Sequence, residues 1–246
     1  MTQEIAHDAL VLVPGLLCDE TVWIPQREAF RNFLEVQIAD HGRIDSLGGM
    51  AEAILDRAPP RFALAGHSMG GRVALEVVRR APERVSALAL LDTGHRGLPA
   101  GEAGERERAG RMRLLEMARR EGMRAMGWQW LQGMIHPSRL QDRALIDPIL
   151  DMIARKTPEI FEAQIRALLG RPDAVSLLPQ IRCPTLVLCG REDAWSPYAQ
   201  HREIAGLIPG STLVAIPDCG HMCTLERPEA VNEALLRWLG AGTTAQ

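Results

Sequence analysis

Phe62-Ala-Leu-Ala-Gly-His-Ser-Met-Gly-Gly-Arg-Val-Ala-Leu-Glu-Val-Val-Arg-Arg80 is the stretch that decides the fold. Phe62 to Ala65 is a short, continuous apolar run stopped by Gly66, the pattern of a strand buried on both faces. Met69 to Arg80 then carries Val73, Val77 and Val78 on one stripe, the pattern of an amphipathic helix. Ser68 stands at the junction. A strand that turns into a helix this abruptly leaves no room for bulky neighbours, so Gly66 and Gly70 permit the turn. Gly71 lets the helix approach the sheet. The hydroxyl of Ser68 is thereby presented at the apex, near the positive end of a helix.

Outward from this unit, the same alternation recurs. Ala9 to Val13, Glu35 to Ala39, Val85 to Leu91, Thr185 to Cys189 and Thr212 to Ile216 read as further strands. Thr21 to Phe33, Leu47 to Arg57 and Glu229 to Leu239 read as helices. Strands alternating with helices predict a doubly wound, mostly parallel α/β sheet of about six strands, with helices on both faces. The alternation breaks once. From about His95 to Leu178 no strand is legible, and Arg, Glu and Met become frequent. Glu107/Arg111 and Glu116/Arg120 are spaced as i,i+4 pairs. Gly122, Pro137, Pro148, Pro158, Gly170 and Pro172 punctuate the segment into three or four short helices. Residues 1–94 and 179–246 are therefore expected to form the core domain, and residues 95–178 an inserted helical cap.

A serine hydroxyl needs a base to act as a nucleophile at neutral pH. His221 follows the sixth strand, in Ile216-Pro-Asp-Cys-Gly-His-Met222, where Gly220 frees the loop to bend toward the C-terminal edge of the sheet, the edge that carries ligands in open parallel sheets. His7, His41, His67, His95, His136 and His201 lack that setting. His67 is expected to point away from Ser68 and support the turn. The base in turn needs an orienting carboxylate. Asp193, just past the fifth strand, is favoured over Glu192, Asp218 and Asp92. Asp92, at the end of the fourth strand, is the strongest rival, and Asp218 reads as a turn residue after Pro217. The chain order is then Ser68, Asp193, His221. Oxyanion donors are expected from the backbone N–H of Met69 and from the loop Pro14-Gly-Leu-Leu17. Pro14 has no N–H. Leu16 is the preferred donor there, with Leu17 next.

Composition narrows the functional classes. Hydrophobic residues make up 46% and charged residues 24% of 246 residues, as in ordinary globular proteins. A formal net charge of −3 argues against a nucleic-acid partner. No apolar run is long enough to cross a bilayer. Met1 to Asp8 lacks the basic start and apolar stretch of a secretory signal, which points to the cytoplasm. The five cysteines, Cys18, Cys183, Cys189, Cys219 and Cys223, are odd in number and read as small apolar filler rather than a disulfide framework. Cys219 and Cys223 flank His221, but no second ligand pair accompanies them, so no metal site is expected. The sequence leaves open whether the protein is a monomer or a homodimer.

Taken together, Gly66-His-Ser-Met-Gly-Gly71, Gly190-Arg-Glu-Asp-x-x-x-Pro197 and Gly220-His-x-x-x-x-Glu-x-Pro228 resemble the α/β-hydrolase superfamily over Ala9 to Thr93 and Arg182 to Leu239. The likeness is to small esterases, carboxylesterases that cleave methyl or acyl esters, and enol-lactonases. It implies a Ser68–Asp193–His221 triad, a cofactor-free acyl-enzyme mechanism on a small-molecule ester, and a cap over the pocket. The chain departs from the family in three ways. Ala9 starts a parallel strand with no β-hairpin before it. Pro14-Gly15 replaces the usual His-Gly. The longer glycine-rich loop of carbon–carbon bond hydrolases is absent, which lowers that reading. A thioesterase, a perhydrolase and a non-catalytic receptor on the same fold stand as alternatives.

Candidate pocket residues are Leu17, Trp23, Met123, Met126, Trp128, Trp130, Trp195 and Met222, with Met134 beside them. Arg27, Arg124 and Arg191 are the candidates for holding a carboxylate. An apolar to moderately polar ester is the expected substrate.

Overall fold

The computed structural model describes His7 and residues 9–240. The rest of the N-terminal segment Met1 to Asp8, which bears on a secretory signal, and residues 241–246 lie outside the described residues. The strands are β1 (Ala9–Val13), β2 (Glu35–Ile38), β3 (Phe62–His67), β4 (Val85–Leu91), β5 (Thr185–Gly190) and β6 (Thr212–Ile216). They form one sheet in the order β2-β1-β3-β4-β5-β6, with every pair parallel. Every residue of β1, β3 and β5 is buried, and so is all of β4 but one residue. These are the near-continuous apolar runs of the sequence, covered by helices on both faces. The edge strands β2 and β6 are half-exposed, and β2, Glu-Val-Gln-Ile, alternates polar and apolar residues.

The helices are α1 (Ile24–Phe30), α2 (Leu47–Arg57), α3 (Met69–Arg80), α4 (Glu102–Glu121), α5 (Met123–Leu131), α6 (Arg143–Ala154), α7 (Pro158–Leu169), α8 (Tyr198–Leu207), α9 (Cys223–Glu226) and α10 (Pro228–Trp238). The chain runs from β1 outward to β2, then crosses back to place β3 on the other side of β1. That reversal opens a crevice between the ends of β1 and β3, the place where doubly wound sheets hold ligands. Ser68 lies directly at it.

Four expectations about elements are corrected. The single helix over Thr21 to Phe33 is a 3₁₀ turn, Glu20–Trp23, followed by α1. The Asp19 side chain caps the turn at the Thr21 N–H, and Pro25, without an N–H, suits the first turn of a new helix. In the insertion, α4 is not short but runs 20 residues. Glu102/Arg106 and Glu107/Arg111 ion pairs line it, and Gly122 ends it at a φ of 91°. Arg120 pairs with Glu121 rather than with Glu116. Pro148 lies inside α6 instead of ending it, because buried Ile146, Ile149, Leu150 and Ile153 bind the helix to its neighbours more strongly than one lost backbone hydrogen bond weakens it. Finally, α8 joins β5 to β6, a helix outside the expected elements.

The insertion, α4 to α7, packs on the core instead of standing apart. Leu115, Met126, Ile149 and Phe161 belong to the same contiguous cluster of buried residues as the sheet.

Candidate active site

Ser68 connects β3 to α3 with φ 56° and ψ −117°, a conformation that side-chain-bearing residues avoid and that marks a held, functional turn. The surrounding glycines explain why the chain tolerates it. A Cβ on Gly66 would collide with the Gly70 backbone, and one on Gly70 with the carbonyls of Val13 and Pro14. A Cβ on Gly71 would lie 2.6 Å from the Thr93 side chain. Thr93 also donates its hydroxyl to the Ser68 carbonyl at 2.6 Å, and the Ser68 N–H reaches the Leu91 carbonyl at 2.9 Å. Gly70→Ala should therefore force backbone against backbone. The expected loss is about 2 kcal/mol or more of folding stability, read by urea denaturation.

The hydroxyl of Ser68 lies 2.8 Å from His221 Nε2. His221 Nδ1 lies 2.8 Å from Asp193 Oδ2. Asp193 Oδ1 accepts the N–H groups of Trp195 and Ser196 at 2.8 and 2.9 Å. Burial opposes the charge on Asp193, but the charge and hydrogen bond of His221 and these two N–H groups outweigh it, so its pKa falls below the usual carboxylate value. Burial likewise opposes a charge on His221, and Asp193 outweighs it, so the His221 pKa is raised above the ordinary imidazole value.

The rival carboxylates are elsewhere. Asp92 is wholly buried; Oδ1 accepts the Gly190 N–H at 2.8 Å. Its pKa is pushed well up, by burial first and by the charge of Asp193 second. The two neighbouring carboxylates are thus driven apart, and Asp193 is the one that holds the charge. Glu192 accepts the Cys219 N–H at 3.1 Å. Asp218 is an exposed turn residue with φ 50°.

His67 serves the base loop. Its Nε2–H donates to the His221 carbonyl at 2.7 Å, and burial, then the neighbouring His221, lowers its pKa to about 3, so it acts as a neutral donor. Glu226 is buried at the far end of the same loop. Its Oε1 accepts the Gly220 and Met222 N–H groups at 3.1 Å each, and its Oε2 the His136 N–H at 2.9 Å. The His221 N–H itself donates to the Met134 carbonyl at 2.7 Å. Residues 134–136 of the insertion are therefore stitched to the loop that carries the imidazole. Both ring nitrogens of His221 are engaged with Ser68 and Asp193, so Cys219, His221 and Cys223 do not compose a zinc site. The thiols of Cys219 and Cys223 are raised by burial and are un-ionised.

Among the described residues, the N–H groups of Leu16 and Met69 have no hydrogen-bond acceptor, and both residues face the same cavity as Ser68 and His221. The Leu17 N–H is not available in this way. It donates at 2.8 Å to Oε1 of Gln164, a buried residue of α7 whose amide also donates to the Gly42 carbonyl at 3.1 Å. Leu17 holds φ 59°, so the loop is strained and Gln164 pins it. Nothing in the spacing of the sequence pointed to Gln164. Gln164→Ala leaves a buried N–H without a partner and frees the loop beside the nucleophile. We expect a stability loss of about 1–3 kcal/mol and a fall of roughly tenfold in kcat with little change in KM, measured by steady-state kinetics on a p-nitrophenyl ester.

The cavity above Ser68 has a volume of about 910 Å³. Of the candidate pocket residues, Trp130 and Trp195 line it. The Trp195 ring lies 5.2 Å from the His221 ring and 5.1 Å from Trp130, which continues to Phe161 at 6.2 Å. The others are placed differently. Leu17, Trp23 and Met222 are buried in the core, with Trp23 edge-on to His67. Met123, Met126 and Met134 are buried within or beneath the insertion, where flexible thioethers fill its contacts. Trp128 faces outward on α5, 41% exposed. The arginine candidates are also misplaced: Arg27 pairs with Glu20, Arg124 with Asp151, and Arg191 stacks on Tyr198. Five other arginines line the cavity instead: Arg72, Arg96, Arg106, Arg111 and Arg171.

This fold and this site define a class. Residues 10–234 match the family described as "Alpha/beta hydrolase family", and the chain belongs to that family. It is 28% identical to a pimeloyl-[acyl-carrier protein] methyl ester esterase of Nitrosomonas europaea, over 89% of this chain and 91% of that one. It is 30% identical to the dihydrolipoyllysine-residue acetyltransferase component of an acetoin cleaving system of Pseudomonas putida, over 94% of this chain; the match spans 63% of that longer protein. Among solved structures, a malate-bound thermophilic esterase from Thermogutta terrifontis superposes with a TM-score of 0.83 at 31% identity, covering 94% of this chain and 89% of that one. Among the described residues, no helix is long and apolar enough to cross a membrane.

Proposed function

We propose that the protein is a serine hydrolase that cleaves a small carboxylic ester or lactone through an acyl-enzyme. The observation that carries this reading is the unbroken line Ser68 Oγ–His221 Nε2–Asp193 Oδ2, with 2.8 Å at each step, open to the cavity. His221 takes the Ser68 proton as Oγ attacks the ester carbonyl. The tetrahedral oxyanion is received by the N–H groups of Met69 and Leu16, which have no other acceptor. The collapse expels the alcohol, which leaves with the proton from His221. Water, deprotonated by His221, then attacks the acyl-Ser68 carbonyl, and the acid is released.

The esterases among the similar proteins support an ester as the bond cleaved. A panel of p-nitrophenyl esters, the matching thioesters and lactones, combined with fluorophosphonate labelling, tests this reading. Labelling of Ser68 with turnover of the oxygen esters or lactones is the expected result. A chain that resists the label and turns over no member of the panel is a binding protein on this fold, and preference for the sulfur esters makes it a thioesterase.

A further inference from the structure

The cavity over Ser68 is far more basic than the chain around it. Five arginines and two glutamates line it, although the formal charge of the whole chain is −3. The arrangement inside is unusual. One backbone carbonyl, that of Arg96, accepts both Nη1 of Arg72 at 2.8 Å and Nε of Arg171 at 3.2 Å. Two guanidinium groups are therefore held side by side. Arg171 also grips Glu107 with Nη1 and Nη2 at 2.7 and 2.8 Å, and the same carboxylate serves Arg111 at 2.9 and 3.0 Å. One glutamate thus serves two guanidinium groups, with the third, that of Arg72, beside them.

Arg72 is the one left over. Among the described residues it forms no ion pair, and the Arg96 carbonyl is its one hydrogen-bond acceptor. Burial, followed by the charge of Arg171, lowers its pKa to about 9, so it stays cationic at neutral pH in a setting that disfavours the charge. Its free end lies over Gly94, next to the Gln200 amide; a Cβ on Gly94 would run into both side chains. No side-chain hydrogen bond occupies that amide among the described residues. Arg72 and Gln200 therefore offer N–H donors, without a partner, to the cavity that Ser68 faces. Arg72 sits four residues past Ser68 on α3, about one helical turn or ~6 Å along the axis. Ser68, Arg72 and Gln200 line the same cavity, so a carboxylate at Arg72 and an ester carbonyl at Ser68 fit within one small molecule.

We infer that the substrate is an ester carrying a carboxylate a few bonds from the scissile carbonyl, and that Arg72, assisted by Gln200, binds this carboxylate. This rests on the hydrolase reading above and replaces the expectation of an apolar ester. The carboxylate completes the ion pairing that Arg72 lacks and relieves its repulsion with Arg171.

Two matched pairs of esters test it. p-Nitrophenyl hydrogen glutarate against p-nitrophenyl pentanoate places the charge on the acyl side. Butyryloxyacetate against propyl butyrate places it on the alcohol side. In the wild type, kcat/KM should favour the charged member of one pair by roughly ten- to a hundredfold, mainly through KM. Arg72→Met should collapse that preference toward unity, while Arg113→Met, which removes an exposed arginine of α4, should keep it. No preference in either pair, or a preference that survives Arg72→Met, overturns the inference while leaving the hydrolase reading intact. Should no ester be hydrolysed, calorimetric titration with glutarate decides separately. Saturable binding that Arg72→Met abolishes supports the site, and absence of binding removes it.

Discussion

Ser68→Ala is expected to lower kcat for ester hydrolysis by about a million-fold while leaving folding stability nearly unchanged. The loss is this large because the triad acts as a unit. With Oγ gone, His221 has no proton to take, and Asp193 orients a base without a task. The positive φ at residue 68 is held by the glycines, the Thr93 hydroxyl and the Leu91 carbonyl, none of which involves the serine hydroxyl, so the turn should survive. Any remaining rate would come from the N–H groups of Met69 and Leu16 acting on bound ester with water as nucleophile. Steady-state kinetics on a p-nitrophenyl ester, with circular dichroism to verify the fold, measures both effects. Retention of even a hundredth of the activity would falsify the assignment of Ser68.

Asp193→Asn should lower kcat by three to four orders of magnitude and shift the pH profile. His221 must be neutral to accept the Ser68 proton. Its pKa is raised above the ordinary value of 6.5, Asp193 being the main influence that overcomes burial. In the wild type, kcat/KM should therefore fall as pH drops through an apparent pKa above 6.5. In Asp193→Asn the carboxylate is lost and burial is opposed only by the lesser influences of Asp92 and Glu226, so the acidic limb moves to lower pH. An asparagine amide can also donate to Nδ1, which puts the proton on Nε2 and removes the acceptor that Ser68 needs. Asp92→Asn is the control. Asp92 is pushed toward its neutral form by burial and by Asp193, so an amide of the same shape should leave the limb close to the wild-type position. A profile that moved with Asp92 instead would transfer the orienting role to it.

The positions of β1, β3, β4 and β5 were readable from the chain because these strands are buried on both faces, and burial leaves an uninterrupted apolar run. The turn at Ser68 was readable because steric exclusion there requires glycine at 66 and 70, and no other residue satisfies it. His221 and Asp193 were candidates for a related reason. Each follows a strand that ends at the one edge where side chains can converge.

The choice between Asp193 and Asp92 was another matter. Both end neighbouring strands at the same edge. The sequence favours Asp193 by its place past the fifth strand, and the three-dimensional arrangement separates the two, by giving Asp193 the His221 ring and two backbone N–H groups and Asp92 the Gly190 N–H in a closed interior. The pocket was the least legible part. Amphipathic helices of the insertion show which residues are apolar, but not which apolar residues face the sheet, a neighbouring helix or the cavity. That is why Met123 and Met126 proved to be packing and Trp128 faces outward. Gln164 and Arg72 carry no local pattern at all. Their importance comes from what folding brings within reach, an orphan N–H on Leu17 for one and an unpaired charge beside Arg171 for the other. The sequence by itself determined the parallel sheet, the glycine-framed turn and the candidates for the reacting groups, because each follows from local sterics and strand burial. Only the tertiary structure decided which carboxylate faces the base, what pins the loop beside Ser68, and that the cavity is lined with arginine, because those depend on contacts between residues far apart in the chain, from 28 positions for Asp193 and His221 to 147 for Leu17 and Gln164.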